Sequence, residues 1–349
     1  MCRFVWTAVL LGFFSKLLVF QSYALVDASL QMQLGNPSGA IVDTNNHDHY
    51  LIQRGVQALD YSDNLGEPVW ASWDLTAADV GPATRSTSYY TDTNLPANFY
   101  RVTTANYNGV GNIDFNRGHL CPSEDRTDTS TDNRLVFFMS NIMPQSGPNN
   151  QGVWANFEDY CRSMLTTNEL LIICGPSGFG MDTIPSGKAY IASNVWKLVV
   201  CVPLGAGTAA SRVTTDSRVI AISIPNVTNG LSSAWQNYRT SPRQIELDTG
   251  FTFFTALNTN LAKVLRAKID GLPQPPIPPP VFQSVSFVAG QISLVVTGAV
   301  ATYTISATTN LANPQWETLL TTNYPDMPLT FVDTNVALPQ RFYRVESRP

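Results

Sequence analysis

The stretches DFNRGHLCPSEDRT (residues 114–127) and RLVFFMSNIMPQSGPNNQGVWANFEDYC (residues 134–161) hold the most distinctive chemistry of the chain. They place His119, one of three histidines in the chain, two residues after Arg117. A neutral imidazole near pH 7 accepts a proton from water, and a nearby arginine binds a phosphate and the charge that builds on it. The segment therefore predicts a site for chemistry on a phosphate.

The carboxamides and the carboxylate that close this segment predict a place for a hard divalent cation. Mg²⁺ takes oxygen ligands, keeps most of its waters and often needs only one or two protein contacts. If a helix starts near Asn150, Glu158 lies two turns further on and within about 100° of Asn150 around the helix axis. We therefore expect Asn150 and Glu158 to line the same side of one helix.

Three ordered motifs carry a resemblance to a known family: Asn116–His119, Ser140–Gln145 and Asn150–Glu158. Together they resemble the DNA/RNA non-specific endonuclease family, the Serratia-type nucleases with the ββα-metal fold. The resemblance covers roughly residues 50–269 and implies an α+β domain with a central antiparallel sheet flanked by helices. It also implies that DNA and RNA are the substrates and that Mg²⁺, with Mn²⁺ as the alternative ion, is the cofactor.

The resemblance also assigns roles to single residues. His119 resembles the general base, and Asn150 resembles the sole direct protein ligand of the metal ion. Glu158 resembles the residue that holds a metal-bound water. Arg117 and Asn141 resemble supporting residues of the catalytic site, with Arg117 also facing the substrate phosphate.

Two further arginines and one departure complete the predicted site. Arg85 matches, by order and context, a family arginine that reaches the scissile phosphate, with a plain surface arginine as the alternative. Arg126 could contact phosphate or form a salt bridge with Glu124 or Asp128. The family motif usually begins with aspartate, and Asn116 stands there instead, which puts the rate or the metal affinity in doubt more than the type of reaction.

The first 24 residues predict a secretory signal peptide. Arg3 precedes an apolar run over residues 5–20, and residues 22–24 supply the small side chains of a cleavage site. A membrane anchor is the alternative, although the run is short for a span of about 20 residues and contains Lys16. We expect a secreted, periplasmic or extracellular protein with no membrane contact after cleavage.

Four cysteines remain after such cleavage, an even number that fits an exported protein with disulfides. Cys121 and Cys161 lie next to predicted site residues, while Cys174 and Cys201 end two apolar runs that could be neighbouring strands. We predict the pairs 121–161 and 174–201. Metal binding by these cysteines is disfavoured because the sequence contains no CxxC pair.

Composition changes after residue 271, which divides the chain. Residues 25–271 are the predicted nuclease domain, and residues 272–280 (LPQPPIPPP) form a proline-rich linker with polyproline II character. Residues 281–349 alternate apolar and polar side chains in short runs, which predicts a small all-β, sandwich-like module. Its partner cannot be read from the sequence.

The predicted function is a secreted, Mg²⁺-dependent, sugar-non-specific endonuclease that leaves 5′-phosphate ends. A net charge of −5 argues mildly against a nucleic-acid binder, which is usually basic. It favours loose, salt-sensitive binding through a few arginines. The alternatives are a catalytically weak relative that binds nucleic acid or a surface, an adhesion protein that acts through residues 281–349, and the same chemistry on another phosphodiester.

Overall fold

The computed structural model describes residues 30–273, 279–288, 290–299, 301–335 and 340–348. The predicted signal peptide (1–24) and most of the predicted linker (272–280) lie outside these ranges. Within them, no helix combines the length and the apolar character that a membrane crossing requires.

Seven antiparallel strands form the central sheet. They are β1 (Tyr50–Arg54), β2 (Gln57–Ser62), β3 (Glu67–Leu75), β6 (Asn168–Thr183), β7 (Tyr190–Pro203), β8 (Arg218–Pro225) and β9 (Arg239–Thr240). In space they follow the order β1-β2-β3-β6-β7-β8-β9. The central strands read as nearly continuous apolar runs because both faces of the sheet are covered by cores.

A small hairpin and a helix stand on one face of this sheet. The hairpin pairs β4 (Phe115–His119) with β5 (Ile142–Ser146), and helix α2 (Trp154–Ser163) follows a wide π-helical turn at Asn149–Val153. This is the expected ββα unit. The long connection between the two strands contains helix α1 (Ser130–Leu135).

The apolar run RLVFFM (residues 134–139) predicts a buried strand, and this prediction is wrong. Helix α1 ends at Leu135, and a 3-10 turn at Met139–Asn141 leads into β5. Phe137 and Met139 are nevertheless buried, each about 1% exposed. The apolar run therefore indicated burial correctly, but not the backbone conformation.

The remaining helices lie after β7. They are α3 (Ala209–Arg212), α4 (Pro242–Thr249) and α5 (Thr259–Ala267). Short 3-10 turns occur at Ala77–Asp79, Thr104–Tyr107, Val110–Ile113, Ser123–Asp125 and Trp235–Tyr238. The sequence predicts helices at residues 232–239 and 255–269. The first is only the 3-10 turn at Trp235–Tyr238, and the second is the shorter α5.

The two faces of the sheet carry separate cores. The first core joins the sheet to α2 and the segment around β4, through Trp73, Trp154 and Phe157 among others. The second core joins the opposite face to α4 and α5, through Trp196 and Phe253 among others. The ββα unit thus packs against the central sheet through the first core, which fixes the orientation of the side chains on β4 and α2.

The described residues beyond 280 form six strands: β10 (Val281–Val288), β11 (Gln291–Thr297), β12 (Thr302–Thr308), β13 (Glu317–Asn323), β14 (Leu329–Asp333) and β15 (Phe342–Arg348). They pair into two small antiparallel sheets, in the orders β10-β11-β14 and β13-β12-β15. Side chains of both sheets share one core. Tyr324, 8% exposed, packs into the second core of the larger domain, and Asn260 Nδ2 donates to its carbonyl oxygen at 3.1 Å.

The predicted disulfides are wrong: the four cysteines of the described residues are free, buried thiols. In the ladder between β6 and β7, Cys201 lies opposite Leu170, four residues from Cys174, which is about 13 Å along a strand. Burial raises the pKa of Cys174 to about 12 and that of Cys201 to about 11. These thiols therefore behave as core side chains.

Candidate active site

Strand β4 presents Arg117 and His119 on one face, because side chains two residues apart in a strand point the same way. Gly118, between them, has no room for a side chain. A Cβ there would lie 2.3 Å from Oε1 of Gln145, on the paired strand. Gln145 in turn donates to Asn149 Oδ1 at 2.9 Å, which ties the hairpin to the turn that carries Asn150.

His119 lies in an aromatic pocket and is 8% exposed. Its ring centroid is 4.6 Å from that of Phe137 and 5.5 Å from that of Tyr89. Nε2 is buried and has no hydrogen-bond partner among the described residues. Burial, together with the positive charge of Arg85, lowers the pKa of His119 to about 3, so the imidazole is neutral at pH 7.

Two arginine side chains flank this histidine. The guanidinium carbon of Arg85 lies 5.1 Å from the ring centroid of Phe137, and Arg85 makes no ion pair within the described ranges. The guanidinium carbon of Arg117 lies 5.3 Å from the ring centroid of Tyr89, and its Nη2 donates to Thr104 O at 3.3 Å. Both guanidinium groups keep free donors for an anion.

A cluster of carboxamides fixes the orientation of Asn150. Asn116 Oδ1 accepts from Asn150 Nδ2 at 3.0 Å and from Gln151 Nε2 at 2.7 Å. This leaves Asn150 Oδ1 without a donor from any residue that the structure describes. A free carboxamide oxygen is a suitable ligand for a hard cation such as Mg²⁺.

Glu158 lies two turns further along, on α2. Its Oε1 is 3.0 Å from Nζ of Lys197 on β7. Burial raises the pKa of Glu158, whereas the charge of Lys197 lowers it. In the part of the chain that the structure describes, no group donates to Oε2, so one carboxylate oxygen remains available.

Two adjoining cavities bring these residues together. One, of about 520 Å³, is bordered by Arg85, Arg117, His119 and Asn150 among others. The other, of about 340 Å³, is bordered by Arg85, His119, Asn150 and Glu158 among others. The general base, the metal ligand and an unpaired arginine predicted from the sequence thus share one concave site.

The donor set of this site fits a single hydrated divalent ion. No group of three or more histidine, cysteine, aspartate or glutamate side chains is placed to hold a metal anywhere in the described residues. What the cavity offers instead is one free carboxamide oxygen and one free carboxylate oxygen. Mg²⁺ is usually bound in this way, with waters filling most of its octahedral positions.

Asn141 and Arg126 do not line the two cavities. Asn141 is fully buried: its Oδ1 accepts from Cys121 N at 3.1 Å and its Nδ2 donates to Cys121 O at 2.9 Å. It braces the chain just past His119, which is compatible with the supporting role that the resemblance implies, whereas the predicted phosphate contact of Arg126 is wrong. Arg126 is 2% exposed and donates to Val56 O and Asp74 O, so it is a core cation, ion-paired with neither Glu124 nor Asp128.

Three residues near the site were missed in the sequence. Tyr89 contacts both His119 and Arg117, and nothing in its loop sequence indicates this. Arg162, four residues after Glu158 on α2, forms ion pairs with Asp125 and other acidic groups. Lys197 interrupts the apolar run WKLVVC, and that interruption was a readable signal.

Comparison with known proteins agrees with this geometry. A nuclease of Nostoc sp. is 37% identical over 243 residues, which are 69% of this chain and 86% of that protein. Nuclease C1 of Cunninghamella echinulata var. echinulata is 27% identical over 66% of this chain and 89% of its own length. A chain in the crystal structure of an EndoG/EndoGI complex superposes with a TM-score of 0.56 at 18% identity, covering 67% of this chain and 94% of that one.

The family assignment rests on the extent of the match as well as on the site. The sequence model of the DNA/RNA non-specific endonucleases matches residues 36–260, which contain the ββα unit and every residue of the cavities named above. The chain therefore belongs to the DNA/RNA non-specific endonuclease family, the metal-dependent enzymes that hydrolyse nucleic acids.

Proposed function

We propose that this protein is an exported, Mg²⁺-dependent endonuclease that cleaves DNA and RNA to 5′-phosphate ends. One observation carries the proposal: His119, Arg85 and Asn150 border both cavities of the site, and Glu158 borders one of them. A proton acceptor, an anion-binding group and oxygen ligands for a cation thus face one volume. This is the equipment that phosphodiester hydrolysis requires.

His119 activates the attacking water in this proposal. Nε2 is buried and has no partner among the described residues, so this scheme assigns the proton to Nδ1. The oxygen of that water forms a bond to phosphorus while the bond from phosphorus to the 3′ oxygen breaks. The phosphate then remains on the 5′ side of the cut.

Arg85 and Arg117 bind the non-bridging phosphate oxygens and stabilise the charge that develops on them. Asn150 Oδ1 and Glu158 Oε2 are the oxygens that would hold the hydrated ion, Asn150 directly and Glu158 through a water. When bound, Mg²⁺ stabilises negative charge on the leaving oxygen.

The same contacts account for activity on both nucleic acids. Every group assigned here addresses phosphate or metal, and such contacts carry no base sequence. A negative net charge further favours weak binding that salt suppresses. Another phosphodiester is a substrate in this scheme only if it fits the open cavities.

Export is proposed on the apolar leader over residues 5–20 and the small residues at 22–24. Protein recovered from the periplasm or the medium should then begin near residue 25, as read by intact mass. A full-length, cell-retained product would contradict this part of the proposal.

The function is tested by cleavage of plasmid DNA and of RNA by the purified protein, with Mg²⁺ and with EDTA. We expect both substrates to be cut with Mg²⁺, the cutting to stop with EDTA, and the products to carry 5′-phosphates that a phosphatase removes. Failure to cut either substrate with Mg²⁺ or Mn²⁺ would favour the catalytically weak binding protein instead.

Asn116 motivates that alternative, because an aspartate usually stands at this position in the family. Its substitution tests whether the missing carboxylate limits metal binding. In Asn116→Asp, the carboxylate keeps the acceptor for Asn150 and Gln151 and adds negative charge beside the ion. We expect the Mg²⁺ concentration for half-maximal activity to fall about three- to tenfold, as one nearby charge contributes about 1 kcal/mol. An unchanged or higher Mg²⁺ requirement would show that Asn116 is not what limits metal binding.

A further inference from the structure

Lys197 is an unusual residue for its position. It lies in the middle of β7, opposite Cys174 on β6 and Ile222 on β8. It is 1% exposed, and its neighbours on that face of the sheet belong to the first core. A buried cation loses its hydration, which is unfavourable. Specific contacts with other groups must offset this desolvation free energy.

Those contacts converge on a single carboxylate. Lys197 Nζ lies 3.0 Å from Glu158 Oε1, 4.2 Å from the ring centroid of Trp154 and 5.4 Å from that of Trp73. The two indoles hold the ammonium group from their faces, which fixes the direction of its hydrogen bond. Burial lowers the pKa of Lys197, but the negative charge of Glu158 and smaller contributions from other nearby groups together raise it above its ordinary value, so the lysine stays charged.

The two oxygens of the Glu158 carboxylate have different surroundings. Oε1 pairs with Lys197 in the core. Oε2 has no such partner in the described part of the chain, and Glu158 borders the cavity that His119 and Asn150 also border. Without Lys197, no group in the described residues would hold Oε1 at 3.0 Å, and the carboxylate would be free to rotate toward solvent. That rotation would move Oε2 away from the cavity.

We infer that Lys197 is a positioning residue for the metal site, acting through Glu158 so that one carboxylate oxygen faces the hydrated ion. This inference rests on the proposed function. Residues that orient the groups around a metal typically change its affinity by 10- to 100-fold when they are replaced. A lysine that only supports the core would leave that affinity unchanged in a folded protein.

The test measures metal binding without substrate. Mn²⁺ binding to the purified protein is followed by electron paramagnetic resonance of the free ion, for wild type, Lys197→Met, Glu158→Gln and the double variant. We expect Lys197→Met to weaken Mn²⁺ binding about 10- to 100-fold. We expect the double variant to bind no more weakly than Glu158→Gln alone, because the lysine acts through that carboxylate.

Lys268 supplies a matched control. It is also a buried lysine, 6% exposed, but its Nζ donates to Ser217 O at 2.8 Å and it borders neither cavity of the site. Lys268→Met should bind Mn²⁺ like wild type. If Lys197→Met does not fold because Glu158 is left unpaired, the double variant and Lys197→Arg, which keeps the charge, replace it in the comparison.

The outcomes separate this inference from the proposed function. Wild-type binding of Mn²⁺ by folded Lys197→Met would overturn the inference, as would losses that multiply in the double variant. If Lys197→Arg replaces Lys197→Met, its Mn²⁺ affinity should lie between those of wild type and Glu158→Gln. A Mn²⁺ affinity lower than that of Glu158→Gln would also overturn the inference. If wild type neither binds Mn²⁺ nor cleaves nucleic acid, the proposed function itself fails.

Discussion

His119→Ala is expected to lower kcat for plasmid cleavage about 10³-fold while leaving the protein folded. The imidazole is the one neutral base that borders both cavities, and loss of a positioned general base costs about 10² to 10⁴ in rate. Removing the ring leaves a small gap among Phe137 and Tyr89, so a modest loss of stability accompanies the loss of rate. Steady-state cleavage at saturating Mg²⁺, with circular dichroism as the check on folding, measures both.

His49→Gln is the control for this variant. His49 is half-exposed, and its Nδ1 lies 2.8 Å from Asp60 Oδ2 beside the first strands of the sheet. We expect that variant to cleave at the wild-type rate. Full activity in His119→Ala would show that another group takes the proton or that the activity belongs to a contaminant.

Asn150→Ala should nearly abolish activity at millimolar Mg²⁺ and should also abolish measurable Mn²⁺ binding. Its Oδ1 is the direct oxygen ligand in our proposal, and a site with so few protein contacts cannot lose one cheaply. One of the two hydrogen bonds that Asn116 Oδ1 accepts is lost as well, namely the one from Asn150 Nδ2. We expect at least a 10²-fold loss in kcat/KM, partly recovered at high metal concentration.

Asn156, on the same helix, provides the comparison. It is exposed and donates to Ser233 O at 3.2 Å, away from the cavities. Asn156→Ala should match wild type in both cleavage and Mn²⁺ binding. Equal Mn²⁺ affinity in Asn150→Ala and wild type would remove Asn150 from the metal site and would direct attention to Glu158 alone.

Local rules allowed part of the site to be predicted. Strand alternation places Arg117 with His119 on β4, as the sequence indicates. Asn150 and Glu158 border one cavity, but not on one regular helix as predicted, because Asn150 lies in a π-helical turn with a kink at Gly152 ahead of α2. Local rules of this kind survive because the core beneath them is continuous.

What the sequence did not reveal depends on contacts between distant segments. Arg126 was predicted to contact phosphate or to pair with Glu124 or Asp128, yet it donates to Val56 O and Asp74 O, about fifty to seventy residues away. The disulfide prediction failed because it placed Cys174 and Cys201 side by side, whereas the register offsets them by four residues. Neither the partner of a buried cation nor the register of two apolar strands is encoded in local spacing.

The packing of Tyr324 into the second core affects how the nuclease domain would behave as an isolated fragment. The Tyr324 ring closes an apolar surface that includes Leu261 and Leu265 on α5, on the side of the sheet away from the catalytic cavities. A fragment that ends at residue 273 would expose this apolar surface to water, which favours self-association of the fragment.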